Sequence, residues 1–345
     1  MSALPSLFPP TPGVYSWAMS IFQWFPIVTV TEWLTDYHPA GKTAQRNSPF
    51  NLPGRVAWCV MEIVGPINLA YLLWPHVGNL SPWNLVAASL YMIHYINRAV
   101  VNPLFVAPSI APTGIMIVAS AAAFNWLNST CLAGWILGVD YYYRGDDSFS
   151  SSYTGSGEEG KGLGWILPYI GLPLFAIGMM GNIRGERTLW RLRREEALRR
   201  QQQQREKDDE GRRRKEKKGK NPFDNVYVMP PAKGLFRFVL YPHYLFEWLE
   251  WFGYVLVGTA VLPGRKGNNV VSLPLPLPLP PWLVPFAALA RRLAVPFPLP
   301  ALAFLVNEVT AMVPQAKRGR RWYVNRFGEK AVTGRSAVIP GVSFL

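Results

Sequence analysis

The sequence predicts an all-α polytopic membrane protein, a bundle of seven transmembrane helices with basic loops gathered on one side. Three observations carry this expectation. The 345 residues are 50% hydrophobic and 14% aromatic, and much of that apolar character lies in runs long enough to cross a bilayer. The formal net charge of +14 is concentrated in Arg184 to Lys220 and in a tail after Lys317, both beside apolar runs. Positive charge placed there fits the positive-inside rule better than a nucleic-acid footprint, so membrane lipid is an expected partner and nucleic acid is not.

Spans are read as runs of about 20 mostly apolar residues. The first covers Val14 to Leu34, is aromatic-rich, and precedes a polar loop holding Lys42 and Arg46. With no basic segment ahead of it, this span is expected to be an uncleaved anchor rather than a signal peptide. The second runs from Arg55 to His76 and the third from Leu85 to Val106. The fourth, Thr113 to Val139, carries Ala119, Ala121, Ala122 and Ala123, small residues that suit close helix packing. The polar loop DYYYRGDDSFSSSYTGSGEEGKG separates it from the fifth span, Leu163 to Ile183.

The charged segment begins with helix formers and mixed charges, which predict a helix continuing out of the fifth span. Its low-complexity second half reads as a solvated insertion, taken over residues 194–222. The sixth span covers Leu235 to Leu262. Residues 263–298 hold SLPLPLPLPPW and PFPLP; alternating Leu-Pro favours extended geometry, so this stretch is expected as an insertion at the membrane surface rather than a span. The seventh span is Leu299 to Val313. Seven crossings put the two basic segments on one side, the cytosolic one, with the N-terminus and the Pro-rich stretch in the lumen. Cys59 and Cys131 lie in apolar runs and read as small buried hydrophobes, and the four histidines lack ligand spacing, so no metal is expected.

The stretch GLFRFVLYPHYLFEWLEWFGY, residues 234–254, carries the strongest functional signal. It places His243, Glu247 and Glu250 at i, i+4 and i+7, one face of a helix otherwise apolar enough for lipid. Ionisable groups at membrane depth cost a few kcal/mol and face a protein interior or a cavity. In the second span, Glu62 shares a face with Trp58 and Arg55. In the third, Tyr91, Tyr95, Arg98 and Asn102 share one, with His94 adjacent. A Glu62–Arg98 pair that merely fixes packing explains two of these residues, but not Asn182, Glu186, Glu247 and Glu250 on further spans. The set predicts a polar cavity open to the cytosolic side, suited to a phosphate-bearing ligand or to a gated transport path.

The chain resembles the steroid 5α-reductase family in five ordered blocks: RVAWCVMEIVGP, HYINRAVVNPL, GNIRGERTLWRLR, KGLFRFVLYPHYLFEWLEWFGY, and LPALAF followed by RRWYVNRFGEKAVTGRSAVIPGVSFL. The resemblance covers most of the chain and is strongest over residues 175–345. It implies one seven-span domain whose cytosolic loops cap a cofactor cavity, in the endoplasmic reticulum membrane. The implied activity is NADPH-dependent reduction of the carbon–carbon double bond of a 3-oxo-Δ4-steroid-like enone drawn from the bilayer, and a monomer is expected. By position, Glu62 and Tyr95 match the pair that hydrogen-bonds the substrate ketone. Arg98, Asn182, Glu186, Arg193, Tyr227, His243, Glu247, Tyr323 and Arg335 match cofactor contacts, and Trp58 and Tyr91 face the substrate pocket. Burial is expected to keep Glu62 protonated and able to donate, whereas Tyr95 donates at neutral pH unaided.

There are departures. Gly319 stands where the family has a histidine, Glu186 replaces an aspartate, and the charged loop and Pro-rich stretch are additions. Polyprenol reductases and very-long-chain enoyl-CoA reductases share the C-terminal blocks and are rival readings. An isoprenylcysteine methyltransferase would need an arginine where Tyr241 stands, and a non-enzymatic transporter is the alternative from another class.

Overall fold

Proline and glycine positions set where the helices of this chain start, break and touch. The computed structural model describes residues 6–35, 48–143, 163–209, 222–224, 226–261 and 271–342. The polar loops expected around Lys42 and after Tyr143, and the end of the charged segment, lie outside the described residues.

The expected first span is two helices, α1 (Pro12–Gln23) and α2 (Pro26–Leu34). Pro26 has no N–H to continue the ladder, so the run restarts with proline in the first turn. Next come β1 (Asn51–Leu52) and α3 (Gly54–Leu73), which tightens into a 3₁₀ helix over Trp74–Asn79. Helix α4 (Pro82–Tyr95) is capped by Ser81, whose side chain accepts from the Asn84 N–H at 3.3 Å. It continues as a π-helix over Ile96–Val106, a wider winding often found at functional sites. Then follow β2 (Thr113–Gly114), paired antiparallel with β1, α5 (Ile115–Ile136), and β3 (Val139–Tyr143).

Helix α6 (Leu167–Asp209) has 43 residues and runs from the fifth apolar stretch into the charged segment as one helix, as its helix formers predict. It is followed by α7 (Pro242–Gly258), β4 (Val271–Leu275), α8 (Val284–Arg292) and α9 (Leu299–Phe327). The chain is mostly helical. Among the described residues, the stretches Gly54–Asn79 and Ile115–Ile136 are long and apolar enough to cross a membrane. The other expected spans fall short for visible reasons. Helices α1, α2 and α7 have 12, 9 and 17 residues, below the roughly 20 a crossing needs, while α4 with its π-helical continuation is long enough but carries His94, Asn97, Arg98 and Asn102. Both α6 and α9 pair an apolar first half with a charged second half.

The Pro-rich stretch is built into the core instead of lying loose on the surface. Strand β4 pairs in parallel with β3 in the register Tyr141↔Leu273 and Tyr143↔Leu275, and both leucines are buried. Prolines donate nothing, so the free carbonyls accept from α1. Ser16 Oγ bonds Pro274 O, Gln23 Nε2 lies 3.3 Å from Leu277 O and from Pro278 O, and the indole of Trp24, at the end of α1, reaches Pro278 O at 2.9 Å. The Tyr143 hydroxyl donates to Gln23 Oε1 at 2.6 Å, fixing that amide.

Helices α6 and α7 approach along glycines. A Cβ added at Gly253 would lie 2.5 Å from Phe175 N, one at Gly171 would lie 2.5 Å from Gly253 O, and one at Gly178 would strike the Glu250 backbone. Gly171, Gly178 and Gly185 repeat every seventh residue and so share a face of α6. That contact holds the acidic face of α7 against Asn182. The tail docks on the other side of α7, where Leu240 N and Tyr241 N donate to Ser336 O (3.0 Å) and Ala337 O (2.9 Å).

Backbone approach this close leaves no room for a branched side chain. Gly253→Val is expected to cost about 1–3 kcal/mol by overpacking, seen as a lower melting temperature of the detergent-solubilised protein. Gly78→Ala, with nothing within 4 Å of the added carbon, should leave that temperature unchanged.

Candidate active site

The site is assembled around one guanidinium. Arg98, on the π-helical continuation of α4, donates through Nε to Glu62 Oε1 of α3 at 3.2 Å and places Nη1 3.3 Å from Glu247 Oε1 of α7. The two carboxylate side chains are 9% and 2% exposed, so each is removed from water and needs a cation to compensate. Asn182 of α6 donates to Glu247 Oε2 at 2.9 Å. His94, one turn before Arg98, has Nδ1 2.8 Å from Glu250 Oε1 and Nε2 3.8 Å from Glu247 Oε1. Arg98 also sits over the Trp58 ring at 5.4 Å.

Glu62 and Tyr95 are joined by a single amide. The Tyr95 hydroxyl donates to Asn125 Oδ1 at 2.9 Å, and Asn125 Nδ2 donates to Met61 O at 2.8 Å and lies 3.3 Å from Glu62 Oε2. Both Glu62 oxygens therefore accept hydrogen bonds. In this arrangement Glu62 acts as an acceptor, and the Tyr95 hydroxyl gives its one proton to Asn125. Beyond it stands an aromatic wall: Tyr91 packs on Tyr95 with ring centroids 4.4 Å apart, and Trp251 packs on Phe304 at 4.5 Å. Tyr91 cannot move toward α3, because its hydroxyl already fills the space above Gly65, 2.5 Å from where a Cβ would be.

Just past the apolar part of α6, Glu186 accepts from Asn102 Nδ2 at 2.9 Å, and Asn102 Oδ1 accepts from Trp190 Nε1 at 3.0 Å. Burial pushes the Glu186 carboxyl up to about 7, against the opposing pull of Arg98.

A second group of expected residues lies farther out. Arg193 donates to the carbonyls of Val226 (2.8 Å), Ser109 (3.1 Å) and Phe223 (3.1 Å) and to Ser109 Oγ (2.8 Å). Its guanidinium also stacks on Tyr227 at 5.4 Å, and Tyr227 meets Trp322 edge-on at 5.1 Å. Arg335 donates to Pro230 O at 2.7 Å and also bonds Ala331 O. Burial raises the Tyr323 phenol above its ordinary range, with Arg335 and Arg193 both pulling it back, which places both arginines around that ring. Their hydrogen bonds go to backbone carbonyls, so in this state they order the segment bearing Tyr227.

The expected residues thus fall into an inner cluster (Glu62, Tyr95, Arg98, Asn182, Glu186, Glu247, with Trp58 and Tyr91) and an outer one (Arg193, Tyr227, Tyr323, Arg335). His243 stands apart from the acidic pair that shares its helix face, packed against α6 where a Cβ on Gly185 would lie 3.0 Å from its own. Sequence reasoning missed Asn125, a polar residue inside the apolar run AFNWLNS. It also missed Glu308 on α9, which is electrostatically coupled to Glu247, Arg98 and Glu62. The signal for both was a polar residue in a span, the criterion already applied to Glu62. Gly319, where the resemblance leads one to expect histidine, faces the Tyr241 phenol so closely that any side chain would collide with its hydroxyl.

No protein-family model matches the chain. Among curated proteins, an uncharacterized protein of Schizosaccharomyces pombe is 26% identical over 328 residues, 88% of this chain and 90% of its own. The steroid 5-alpha-reductase DET2 of Arabidopsis thaliana is 27% identical over 293 residues, 83% of this chain and 80% of its own. The 3-oxo-5-alpha-steroid 4-dehydrogenase 1 of Bos taurus is 24% identical over 230 residues, 65% of this chain and 71% of its own.

Two outcomes follow from the charges. Arg98→Ala strands two buried carboxylates and is expected to destabilise the fold by about 3–5 kcal/mol, read as the loss of chemical-denaturant resistance in detergent. Glu186 keeps its proton in the folded protein up to about pH 7 but loses it near 4.5 when unfolded. Stability should therefore be highest below pH 4.5 on its account and fall as pH rises through 7. Melting temperatures across that range should slope less in Glu186→Gln.

Proposed function

We propose that this chain, a divergent relative of the steroid 5-alpha-reductases, reduces the carbon–carbon double bond of a lipophilic α,β-unsaturated ketone of the 3-oxo-Δ4-steroid type, with NADPH as cofactor. The observation that carries this reading is the Glu62–Asn125–Tyr95 relay, which sets a buried phenol between an aromatic cluster and the charged group around Arg98.

The donor set fits a nicotinamide cofactor. Asn182, Glu247, Asn102 and Glu186 offer the paired amide and carboxylate groups that suit a carboxamide and ribose hydroxyls. The basic surface of α6 and the ordered segments around Arg193 and Arg335 suit phosphates. When bound, NADPH supplies the hydride that reaches the β-carbon of the enone.

The chain's own residues do the rest. Negative charge develops on the ketone oxygen as the β-carbon is reduced, and the Tyr95 O–H, rotated off Asn125 Oδ1 onto that oxygen when substrate is bound, is the donor that stabilises it. Asn125 holds that hydroxyl in place, and Glu62 holds Asn125 by accepting from its amide. Arg98 keeps Glu62 and Glu247 compensated, so neither carboxylate repels the developing charge unscreened. The wall of Tyr91, Trp251 and Phe304 excludes water and takes up a flat ring system.

Several features support a membrane setting: the two helices long enough to cross, the exposed apolar side chains such as Ile67, Trp74 and Met116, and the basic segments grouped after α6 and within α9. The charge pattern favours a cytosolic C-terminus with the N-terminus on the opposite side, and the resemblance to the reductases favours the endoplasmic reticulum as the membrane.

Membranes containing the protein, supplied with NADPH and a panel of steroidal and isoprenoid enones, should yield a product two hydrogens heavier from a 3-oxo-Δ4-steroid. No reduced product from any enone on the panel would sink the proposal. Tyr95→Phe and Glu62→Gln are each expected to lower turnover at least tenfold, about 1.4 kcal/mol or more. The NADPH concentration at half-saturation should stay close to wild type.

A further inference from the structure

Helix α6 has two faces with opposite characters. On the inner one, Asn182 bonds Glu247, Glu186 bonds Asn102 and Arg193 bonds the Ser109 carbonyl, while Gly171, Gly178 and Gly185 keep the neighbouring side close to α7. The outer face is uncovered. At about 100° per residue, Tyr169, Ile177 and Met180 project within a single sector of roughly 100°, and all three are exposed. One turn farther on, the same sector changes its chemistry. Arg184, Arg187, Arg191 and Arg194 follow at i, i+3, i+7 and i+10, again all exposed. Arg193, by contrast, points about 140° round the helix from the middle of this stripe.

The acids of this stretch leave the stripe strongly positive. Between Arg184 and Leu198, Glu186 is turned inward to Asn102, and Glu196 is held by Arg199 and Arg200 on another side of the helix. Glu195 alone lies beside the stripe, 3.7 Å from Arg191, with the two side chains 62% and 69% exposed. An ion pair that open contributes little and is readily exchanged for another partner. Arg194 also bonds Val106 O, which ties the stripe to the π-helical segment. One turn past it, Leu198 returns to the same sector as an apolar side chain that is 51% exposed. Arginines alone would suit a nucleic acid or an acidic protein. Neither accounts for the apolar run that leads up to them in the same direction, whereas acyl chains giving way to phosphate headgroups account for both.

We infer that the outer face of α6 from Arg184 to Leu198 is a docking surface for an anionic phospholipid leaflet, its arginines taking headgroup phosphates and its leucine reaching the acyl boundary. The guanidinium fork matches phosphate oxygens two at a time, which an ammonium does not. From Arg184 to Arg194 the stripe climbs about 15 Å, more than the roughly 5–8 Å of headgroup on one side of a bilayer. Contact along its whole length therefore has the helix leaning toward the leaflet, and that lean is what brings Leu198 back to lipid. Each basic side chain near an anionic leaflet strengthens binding about fivefold.

The inference rests on the membrane setting proposed above, and the experiment separates the two. The full chain in a neutral detergent is titrated with phosphatidylserine, with phosphatidylcholine and with inorganic phosphate, and affinity is read from shifts in melting temperature. Wild type should bind phosphatidylserine at least tenfold more tightly than phosphatidylcholine, and inorganic phosphate should produce no shift. Arg184→Gln/Arg187→Gln should weaken phosphatidylserine binding at least tenfold and leave phosphatidylcholine within twofold, with an unchanged melting temperature when no lipid is added. Arg199→Gln/Arg200→Gln, off the stripe, should keep the wild-type preference. Equal binding of the two lipids by wild type overturns the assignment alone. So does a preference that survives in Arg184→Gln/Arg187→Gln, one lost equally in Arg199→Gln/Arg200→Gln, or a shift with inorganic phosphate that matches phosphatidylserine. Wild type that binds neither lipid and stays dispersed once detergent is removed overturns the membrane setting and this assignment together.

Discussion

The bond between Arg98 and its carboxylates is the constraint from which the rest of the arrangement follows. Arg98 pairs with Glu247 of α7 and Glu62 of α3, and Asn182 of α6 and Asn125 of α5 bond those same carboxylates. Carboxylates this far from water are tolerable only if a cation reaches them, and the described residues bring Arg98 to the middle of the set. Four helices must therefore converge on the π-helical turn after α4. The wider winding there presents Arg98 toward Glu62 and Glu247 and Asn102 toward Glu186, so one local irregularity serves both pairs.

Convergence of this kind also needs backbones that can approach. The glycine face of α6 lets α7 come near enough for Asn182 to bond Glu247 directly, and the parallel β3–β4 pair with its proline carbonyls ties α1 to the same core. The two devices are chemically opposite. One removes side chains so that helices touch, and the other removes backbone donors so that side chains from α1 must supply them. Both leave the inner cluster on rigid elements, which suits a site whose donors must be preorganised rather than recruited.

Much of this was legible in the sequence, and the boundary of legibility has a physical cause. Glu62, Arg98, Asn182, Glu186 and Glu247 stood out because each is a polar group in an apolar run, and the cost of burying it implied a partner. The Glu62–Arg98 pair was readable and is present, whereas the pairing of Arg98 with Glu247 and of Asn102 with Glu186 was not, since it depends on the rotation of whole helices. Asn125 was passed over because a neutral amide raises less alarm than a charge, yet it is the piece that joins Glu62 to Tyr95. Arg98 and Asn125 occupy both oxygens of Glu62, an arrangement that burial alone did not suggest. The Pro-rich stretch is extended over Val271–Leu275, as alternating Leu-Pro predicts, but its pairing with β3 depends on donors from another element and was not legible. The break at Pro26 was passed over too, although the missing N–H alone could have signalled it.

The two clusters differ in how they carry divergence. The inner residues matched by resemblance touch one another, so a change at one leaves a buried charge or amide unpaired. The outer cluster is organised by backbone carbonyls and ring contacts, which accept substitution more readily. Gly319 illustrates it: the space a histidine side chain would need is taken by the Tyr241 phenol, itself packed on Tyr323 with ring centroids 6.2 Å apart. A ring arriving from the α7 side has replaced one expected from α9, so the volume is filled while the ionisable group is lost. The exchange falls among the outer residues, where Tyr241 packs with Tyr323, and leaves the contacts of the inner cluster as they are.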